Sequence, residues 1–257
     1  MIPRDPAAFL PPMLAVTADT PFDDPGWWYE IKWDGFRALI HRGEDLKVYS
    51  RRGANLLARW PVLADLAGQL PVPLVLDAEL VAMGPQGSGR PGYRPGALVA
   101  VVFDCLYGPE GWLLDQPFER RRECLLRWIP GGGRVVLSEG VTGSGLALLE
   151  AARRRGLEGV MAKRLGSPYL PGRRSRLWQK FLVQEEVTLP WQGLVSRRDG
   201  RPLWVLGRPE AARVPAPAAW LRQHPRPPVA WVRVRYRERT PAGRLRHPQV
   251  VSWGSSG

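Results

Sequence analysis

Residues 30–37 read Glu-Ile-Lys-Trp-Asp-Gly-Phe-Arg, and this stretch decides how the rest of the chain is interpreted. An apolar segment ends at Lys32, the pair Asp34-Gly35 is typical of a tight turn, and Arg37 follows it. A lysine amine is protonated at neutral pH and becomes nucleophilic where burial or a neighbouring cation lowers its pKa. The residues alone leave two interpretations open: a hairpin with a solvated lysine, or a nucleophilic lysine beside an arginine that binds phosphate.

Five short motifs follow this stretch along the chain. They are SRRG (residues 50–53), LDAEL (76–80), VVFDCLY (101–107), EGVMAKR (158–164) and LWQKFL (177–182). Their residues also have purely structural interpretations: Glu79 as a salt-bridged strand residue, Phe103 as core, and Lys163 as part of a solvated basic patch. If Arg51 and Arg52 lie in a strand, only one of them faces a site.

Hydrophobic periodicity predicts the main elements. Apolar and β-branched runs predict strands at residues 27–31, 36–40, 46–50, 74–82 and 97–107. Helical spacing predicts helices at residues 59–70, 118–128 and 146–155, the second with a basic outer side. Residues 83–96 read as a Gly/Pro loop, and the Pro/Ala-rich residues 209–228 read as a surface loop. A change near residue 183 predicts a domain boundary followed by a small β-barrel or sheet.

The composition is that of a globular protein with a large positive charge. The chain has 257 residues, 44% hydrophobic and 24% charged, which excludes wholesale disorder, collagen and a coiled coil. Two cysteines, Cys105 and Cys124, exclude a disulfide framework and are expected to be inert; three histidines are too few for a zinc enzyme. No stretch suits a membrane span or signal peptide, so we expect a cytoplasmic protein. The net charge of +13 points to a polyanion, with nucleic acid as the leading candidate.

Taken together, the motifs from Trp28 to Lys180 resemble the ATP-dependent DNA ligases of the covalent nucleotidyltransferase superfamily, especially bacterial ligases of the end-joining type. The segment RTPAGRLRHP at residues 239–248 resembles part of their C-terminal OB-type domain. The resemblance implies an α+β fold in two domains. Residues 1–183 would form a nucleotidyltransferase (adenylation) domain of mostly antiparallel sheets with helices, and residues 184–257 a small all-β, OB-like DNA-binding domain.

The resemblance also implies a role for each motif. Lys32 would attack the α-phosphorus of ATP, expel pyrophosphate and carry AMP, which then passes to the 5′-phosphate of a DNA nick. The supporting residues would recognise the adenine edge (Glu30), stack on the purine (Phe103), contact phosphates (Arg37, Arg51, Lys163 and Lys180), and bind ribose or a divalent metal, Mg2+ or Mn2+ (Glu79 and Glu158). These roles suit a reaction in which cations must absorb negative charge that grows on phosphate oxygens.

Three departures from the family pattern bear on activity. Leu182 stands where relatives carry a second lysine, Ala78 replaces a glycine, and the chain reads SWGSSG where an Arg-x-Asp-Lys-type motif is usual. Ala78 is expected to have a mild effect, because the glutamate is kept. From the missing terminal motif we expect slow self-adenylation. The missing motif and Leu182 together support the alternative function, a ligase-like scaffold that binds DNA ends or nicks. An RNA ligase or a capping-type guanylyltransferase shares the lysine motif, but the later motifs favour DNA joining.

Arginine clusters indicate the partner independently of the motifs. They occur at residues 120–122, 153–155, 173–176, 197–198 and 233–239. In the last cluster, Arg233, Arg235, Arg237 and Arg239 alternate, so one strand would present all four on one face. The clusters therefore suit contact with a phosphate backbone. The resemblance implies that this partner is nicked double-stranded DNA. We further expect a monomer, with other repair proteins as further partners, located at the nucleoid if the source is bacterial.

Overall fold

The computed structural model describes residues 5–6, 8–71, 73–85, 87–92, 96–236, 238–240 and 242–255. The chain divides into two compact units, and the boundary lies between Leu182 and Val183. The strands of the first unit are β1 (Leu14–Thr17), β2 (Trp27–Lys32), β3 (Phe36–Arg42), β4 (Leu46–Ser50), β5 (Leu74–Gly84), β6 (Gly87–Gly89), β7 (Ala97–Gly108), β8 (Gly111–Trp112), β9 (Val135–Leu137), β10 (Gly140–Thr142), β11 (Gly159–Arg164) and β12 (Arg174–Leu182). Its helices are a 3-10 helix (Pro61–Gly68), α1 (Phe118–Trp128) and α2 (Gly145–Arg154).

The predicted strands and helices of this unit are confirmed, with one change of helix type. The segment predicted as a helix at residues 59–70 is a 3-10 helix. Its apolar residues Trp60, Leu63 and Leu66 recur at every third position, which is the period of a 3-10 helix. Part of the expected loop at 83–96 pairs with β5 as strand β6, while residues 86 and 93–95 lie outside the described residues.

Two sheets form the first unit. One runs in the order β1-β12-β11-β2-β10, and the other in the order β4-β3-β5-β7-β8, with β6 paired to β5 and β9 to β7. Most neighbours are antiparallel; β1–β12 and β7–β9 are parallel. Along β5, Leu76 and Ala78 pack in the core that includes the 3-10 helix and α1, while Val75 packs with Trp178 of the other sheet. The alternation of a strand thus gives β5 one face toward the helices and one toward the other sheet.

Strand β7 contains one extra residue, and its alternation is interrupted between Phe103 and Cys105. The neighbours of Phe103, Val102 and Asp104, pair with consecutive β5 residues, Ala78 and Asp77, so Phe103 is an extra residue in a β-bulge. Val102 packs in the helix-side core, and Phe103 packs on the opposite face, in the core that also contains Trp178 of β12. The ring thus keeps the alternation with Val102, and the effect of the bulge appears two residues later, where Cys105 packs in the helix-side core.

A buried ion pair fastens α1 to β7. The Arg121 guanidinium donates to both carboxylate oxygens of Asp104, at 2.7 and 3.0 Å, and both side chains are fully buried. It also donates to the carbonyl oxygens of Gln116 and Ser167. Arg121 is therefore not part of the basic outer side predicted for α1, because a guanidinium this well paired can be buried.

The second unit is a sheet-rich structure with one short helix. Its strands are β13 (Glu185–Ser196), β14 (Pro202–Leu206), β15 (Ala212–Pro215), β16 (Trp231–Tyr236), β17 (Glu238–Arg239), β18 (Leu245–Arg246) and β19 (Gln249–Gly254), and its helix is α3 (Ala218–Leu221). Five strands run in the order β15-β14-β13-β16-β19, and β17 pairs with β18.

The Pro/Ala-rich segment was predicted to be a surface loop. It instead contributes to the core of this unit. It supplies β15 and α3, and Trp220 is buried with its ring 5.3 Å from that of Trp204. One buried tryptophan therefore anchors a segment that its composition marks as a loop. Among the described residues of the whole chain, no helix has the length and apolar character needed to cross a bilayer.

Replacing Arg121 tests the buried ion pair. Arg121→Met leaves the buried Asp104 carboxylate without its cation, so we expect the free energy of unfolding to fall by about 3–5 kcal/mol. Arg120→Met is the matched control, because Arg120 is exposed and solvent screens its ion pairs with Glu110 and Glu123, so that they contribute little to stability. Urea denaturation of both variants measures the difference, and equal stability of the two would contradict the assignment.

Candidate active site

A cavity of about 720 Å³ lies between the two sheets of the first unit. Its volume is within the range of small-molecule binding sites. Its lining brings together all but one of the residues singled out from the sequence: Glu30, Lys32, Arg37, Arg51, Glu79, Phe103, Lys163 and Lys180. The exception, Glu158, reaches the site through Lys32.

Lys32 ends strand β2 and forms an ion pair with Glu158. The distance from Lys32 Nζ to Glu158 Oε2 is 2.5 Å, and each side chain is 21% exposed. Sheet register explains the contact: Lys32 pairs with Gly159 on β11, and Glu158 directly precedes that strand. The amine is therefore held by a carboxylate at the cavity wall and still reaches solvent.

Gly35 sets the turn that follows Lys32. A side chain at this position would overlap the backbone carbonyl oxygen of Leu80 on β5 and contact Glu79. Only glycine lets the start of β3 approach β5 this closely, and this approach places Arg37 opposite Glu79 in the sheet. The Asp-Gly pair in the sequence therefore reflects close backbone packing as well as a turn.

Glu30 and Lys163 form a second ion pair, which is almost completely buried. Lys163 Nζ lies 2.6 Å from Glu30 Oε1 and donates to the Phe103 carbonyl oxygen at 3.1 Å, while the Trp28 indole donates to Glu30 Oε2 at 3.2 Å. Burial lowers the pKa of Lys163, and Glu30 opposes that shift. The ammonium also lies 4.4 Å from the centre of the Phe103 ring. Lys163 thus holds Glu30 and the Phe103 backbone, and its ammonium is already paired although the residue lines the cavity.

Arg37 is held by a residue that the sequence patterns do not single out. Its guanidinium makes a two-point contact with the buried Asp77 carboxylate and donates to the Met13 carbonyl oxygen. The Tyr169 hydroxyl donates to the same carboxylate at 2.6 Å. Arg37 also lies 4.8 Å from the centre of the Phe103 ring. The only signal for Asp77 in the sequence is that an acid within an apolar strand needs a partner.

Glu79 occupies the cavity wall beside these cations. Burial raises its pKa to about 7; Arg37 and Lys32 oppose the shift, whereas Glu158 adds to it. The influence of Glu158 indicates that the two carboxylates lie close enough to repel each other. Near neutral pH, Glu79 is therefore poised to ionise when a cation approaches.

Several arginines widen the positive lining of the cavity. Arg51 and Arg52 both line it, contrary to the expectation that only one would, because β4 ends at Ser50 and strand alternation no longer applies. Arg59 and Arg90 stand over the Phe36 ring, 4.8 and 5.1 Å from its centre. Neither Arg59 nor Arg90 was predicted, because they are far from the motifs in sequence and only the fold brings them to the cavity.

The other arginine clusters are only partly available to an anion. Arg121 is buried, and Arg122 lies over the Trp28 ring at 4.0 Å. Strand β16 ends at Tyr236, so it carries Arg233 and Arg235 but not the whole predicted row of four. Arg235 is paired with Glu186 across the sheet at 2.9 Å. Arg239 lies on β17, and Arg237 lies outside the described residues. Arg153–155 and Arg197–198 are exposed, as expected.

Comparison with known proteins finds DNA ligases and a ligase-like protein. A family model described as the ATP dependent DNA ligase domain matches residues 12–92 and 93–181. The multifunctional non-homologous end joining protein LigD of Mycolicibacterium smegmatis is 34% identical over 212 residues, which are 77% of this chain and 27% of that protein. The SPbeta prophage-derived DNA ligase-like protein LigB of Bacillus subtilis is 28% identical over 186 residues, 68% of this chain and 67% of that protein. The chain spans about a quarter of the length of the LigD relative.

Solved structures give the same result. The ligase domain of LigD from M. tuberculosis has a TM-score of 0.65 and 26% identity, with 95% of each chain covered. A mycobacterial DNA ligase D complexed with ATP and MES has a TM-score of 0.63 and 27% identity, with 96% of each chain covered. The expected sheet-rich α+β fold is therefore confirmed at the level of ligase domains.

The close approach at Gly35 predicts the effect of one added methyl group. Gly35→Ala places a Cβ against the Leu80 carbonyl, and backbone cannot easily move away, so we expect a loss of roughly 1–3 kcal/mol in the free energy of unfolding. Gly68→Ala is the control, because no atom lies within 4 Å of its Cβ position. Denaturant titration that finds the two variants equally stable would rule out the packing constraint.

The raised pKa of Glu79 predicts a pH-dependent stability. Between about pH 4.5 and 7, the folded chain holds a proton that the unfolded chain has released, so this group's contribution to stability falls as the pH rises through that window. Glu79→Gln removes the titration. The stability of the variant relative to the wild type should increase from pH 4.5 to about 7 and then stay level. A difference that is constant with pH would refute the raised pKa.

Proposed function

The chain belongs to the ATP-dependent DNA ligase family, and on this basis we propose that it seals nicks in double-stranded DNA through an AMP group carried on Lys32. Family membership confirms the resemblance found in the sequence motifs. The observation that carries the proposal is the position of the Lys32 amine: it lies in a cation-lined cavity, beside a carboxylate and among residues that suit a purine nucleotide.

The reaction begins with Lys32 and Glu158. Glu158 takes the ammonium proton at 2.5 Å, and the freed Nζ lone pair attacks the α-phosphorus of ATP. A P–N bond forms, the bond between the α-phosphorus and the oxygen that bridges it to the β-phosphorus breaks, and pyrophosphate leaves. An oxygen of the nick 5′-phosphate then displaces the lysine from AMP. The 3′-hydroxyl finally attacks that 5′-phosphate, and AMP leaves as the strand is joined.

The cavity supplies the positive charge that this chemistry requires. Arginines and lysines outnumber the carboxylates of its lining, and guanidinium groups bind phosphate oxygens in a two-point geometry. Arg90 Nε is buried without a hydrogen-bond partner in the described part of the chain, with the nearest Asp34 carboxylate oxygen 3.9 Å away. We assign Arg51, Arg90 and Lys180 to the phosphates of ATP or the nick.

The purine side of the site is built on Phe103. Its ring lines the cavity, with Arg37 and Lys163 close to it, and an aromatic face stacks on any base. Glu30 already accepts from Lys163 and Trp28, and a carboxylate has lone pairs for a further donor such as the adenine amino group. In this proposal Arg37 and Lys163 are positioning residues, because Asp77 and Glu30 hold their charged groups.

Glu79 and Glu158 fit the requirements of a divalent cation. Mg2+ binds one or two carboxylates together with substrate phosphates and water, and Mn2+ accepts the same ligands. The described residues contain no group of three or more side chains that could enclose a metal ion by themselves. Glu79 and Glu158 would therefore hold the ion only with phosphate present. When bound, the ion neutralises charge on the phosphates.

For the second unit we propose an OB-like, DNA-binding role. The long strand β13 pairs with β16 through its first half and with β14 through its second half. A strand shared in this way is suited to a small, partly open barrel. Exposed Arg197, Arg198 and Arg233 provide charge for a phosphate backbone. We place the protein in the cytoplasm, at nucleoid DNA, and assign the adenylation step to the first unit.

Substitution of Lys32 tests the proposal. Lys32→Ala incubated with radiolabelled ATP should take up no AMP, because the nucleophile is absent. Lys47→Ala, which removes an exposed lysine of β4, should be labelled like the wild type. Labelling of Lys32→Ala to the level of the wild type would overturn the assignment.

A nick-sealing assay distinguishes the proposed ligase from the alternative function, a DNA-binding scaffold, which the loss of a lysine at Leu182 supports. The wild-type chain should join a nicked duplex with ATP and Mg2+ or Mn2+, and Lys32→Ala should not. Binding to nicked duplex without joining, on pre-adenylated nicks as well, would indicate a scaffold.

A further inference from the structure

A second cavity lies beside helix α1, in addition to the site described above. Its volume is about 200 Å³, and its lining includes Cys124, Arg120, Arg127 and Trp128. No function in the ligase reaction has been assigned to these residues. The notable group in the lining is the Cys124 thiol, because it also touches the chain's other cysteine.

The two thiols are in contact. Cys105 Sγ and Cys124 Sγ are 3.1 Å apart, and both cysteines are free. Cys105 is fully buried on β7, and Cys124 is half-buried on α1 at the cavity. A disulfide has an S–S length of about 2.05 Å, so the two atoms need to approach by only about 1 Å.

We propose that Cys105 and Cys124 are a modification site, at which a peroxide that enters the small cavity converts the two thiols into a reversible disulfide. The expectation of two inert thiols is replaced by a reactive pair. This site is independent of the nucleotide reaction.

The chemistry balances with one peroxide molecule. The Cys124 thiolate attacks one oxygen of hydrogen peroxide, the O–O bond breaks, and the departing hydroxide takes up a proton to become water. Cys124 is then a sulfenic acid. The Cys105 sulfur attacks the Cys124 sulfur, the S–O bond breaks, and a second water forms with the Cys105 proton. Two thiols are oxidised, and one peroxide is reduced to two waters.

The surroundings of the two sulfur atoms shift their pKa values in opposite directions, which is consistent with Cys124 reacting first. The hydrogen bond between them lowers the pKa of Cys124, and Arg120 and Arg127 act in the same direction, whereas burial and Glu110 oppose it. The same hydrogen bond, followed by burial, raises the pKa of Cys105. The half-buried Cys124 is therefore the attacking thiolate, and Cys105 is the resolving thiol.

The neighbouring structure is already held in place for this bond. The ion pair between Asp104 and Arg121 joins β7 to α1 one residue from Cys105 and three from Cys124. The β-bulge separates Cys105, which packs in the helix-side core, from Phe103, which lines the active-site cavity. A disulfide here should consequently stabilise the first unit without altering the lining of the larger cavity.

The full chain, reduced and freed of reductant, is treated with equimolar hydrogen peroxide and then digested for mass spectrometry. We expect a peptide pair joined through Cys105 and Cys124, the loss of two titratable thiols, and full recovery of both with dithiothreitol. The oxidised chain should unfold at a temperature higher by roughly 5–10 °C, since the bond constrains the unfolded state.

Two variants distinguish the roles of the thiols. Cys105→Ser, which keeps a hydrogen-bond donor beside Cys124, should accumulate a sulfenic acid on Cys124 that dimedone traps, while Cys124→Ser should leave Cys105 unmodified because it is buried. The wild-type experiment stands even if a variant fails to fold. Unchanged thiols, a sulfinic or sulfonic acid on Cys124 in place of the cross-link, or disulfides only between chains would each overturn the proposal.

Discussion

Charge buried between two sheets is the constraint on which the first unit depends. Asp77 holds Arg37, and Glu30 holds Lys163, at the cavity between the sheets. Asp104 holds Arg121 where helix α1 packs against β7. An unpaired charge in such a place costs several kcal/mol, so each partner requires the other. The outcome is a cavity lined by many ionic side chains, among which Arg37, Glu30 and Lys163 are already paired. Lys32, which is partly exposed, is the group left able to exchange its partner for a substrate.

The β-bulge at Phe103 shows how local geometry turns a strand into part of a site. The ring lies on the face opposite Val102, and the one additional residue returns Cys105 to the helix-side core. The carbonyl oxygen of Phe103 accepts a hydrogen bond from Lys163. Ring, carbonyl and ammonium thus form one arrangement, which links the shape of the purine side of the cavity to the buried Glu30.

The sequence patterns located the site better than they described its contacts. The order of the short motifs was enough to predict that Lys32, Glu79 and Phe103 belong to one site, and all three line the same cavity. Each of these residues lies at the end or in the middle of a strand. The partner of Arg37 could not be predicted, since it depends on the register of β3 against β5. Arg90 was missed because it lies outside the motifs and only the fold brings it to the cavity. The core position of Trp220 was hidden by the prolines and alanines around it.

The crowding of arginines around the large cavity has an energetic side as well as a functional one. Like charges that face one another across a low-dielectric space repel, and this repulsion opposes folding for as long as no anion shields it. A polyphosphate that enters relieves that strain and contributes its own attraction. The folded chain is therefore a linked system in which saturation with an anionic ligand and resistance to unfolding rise together.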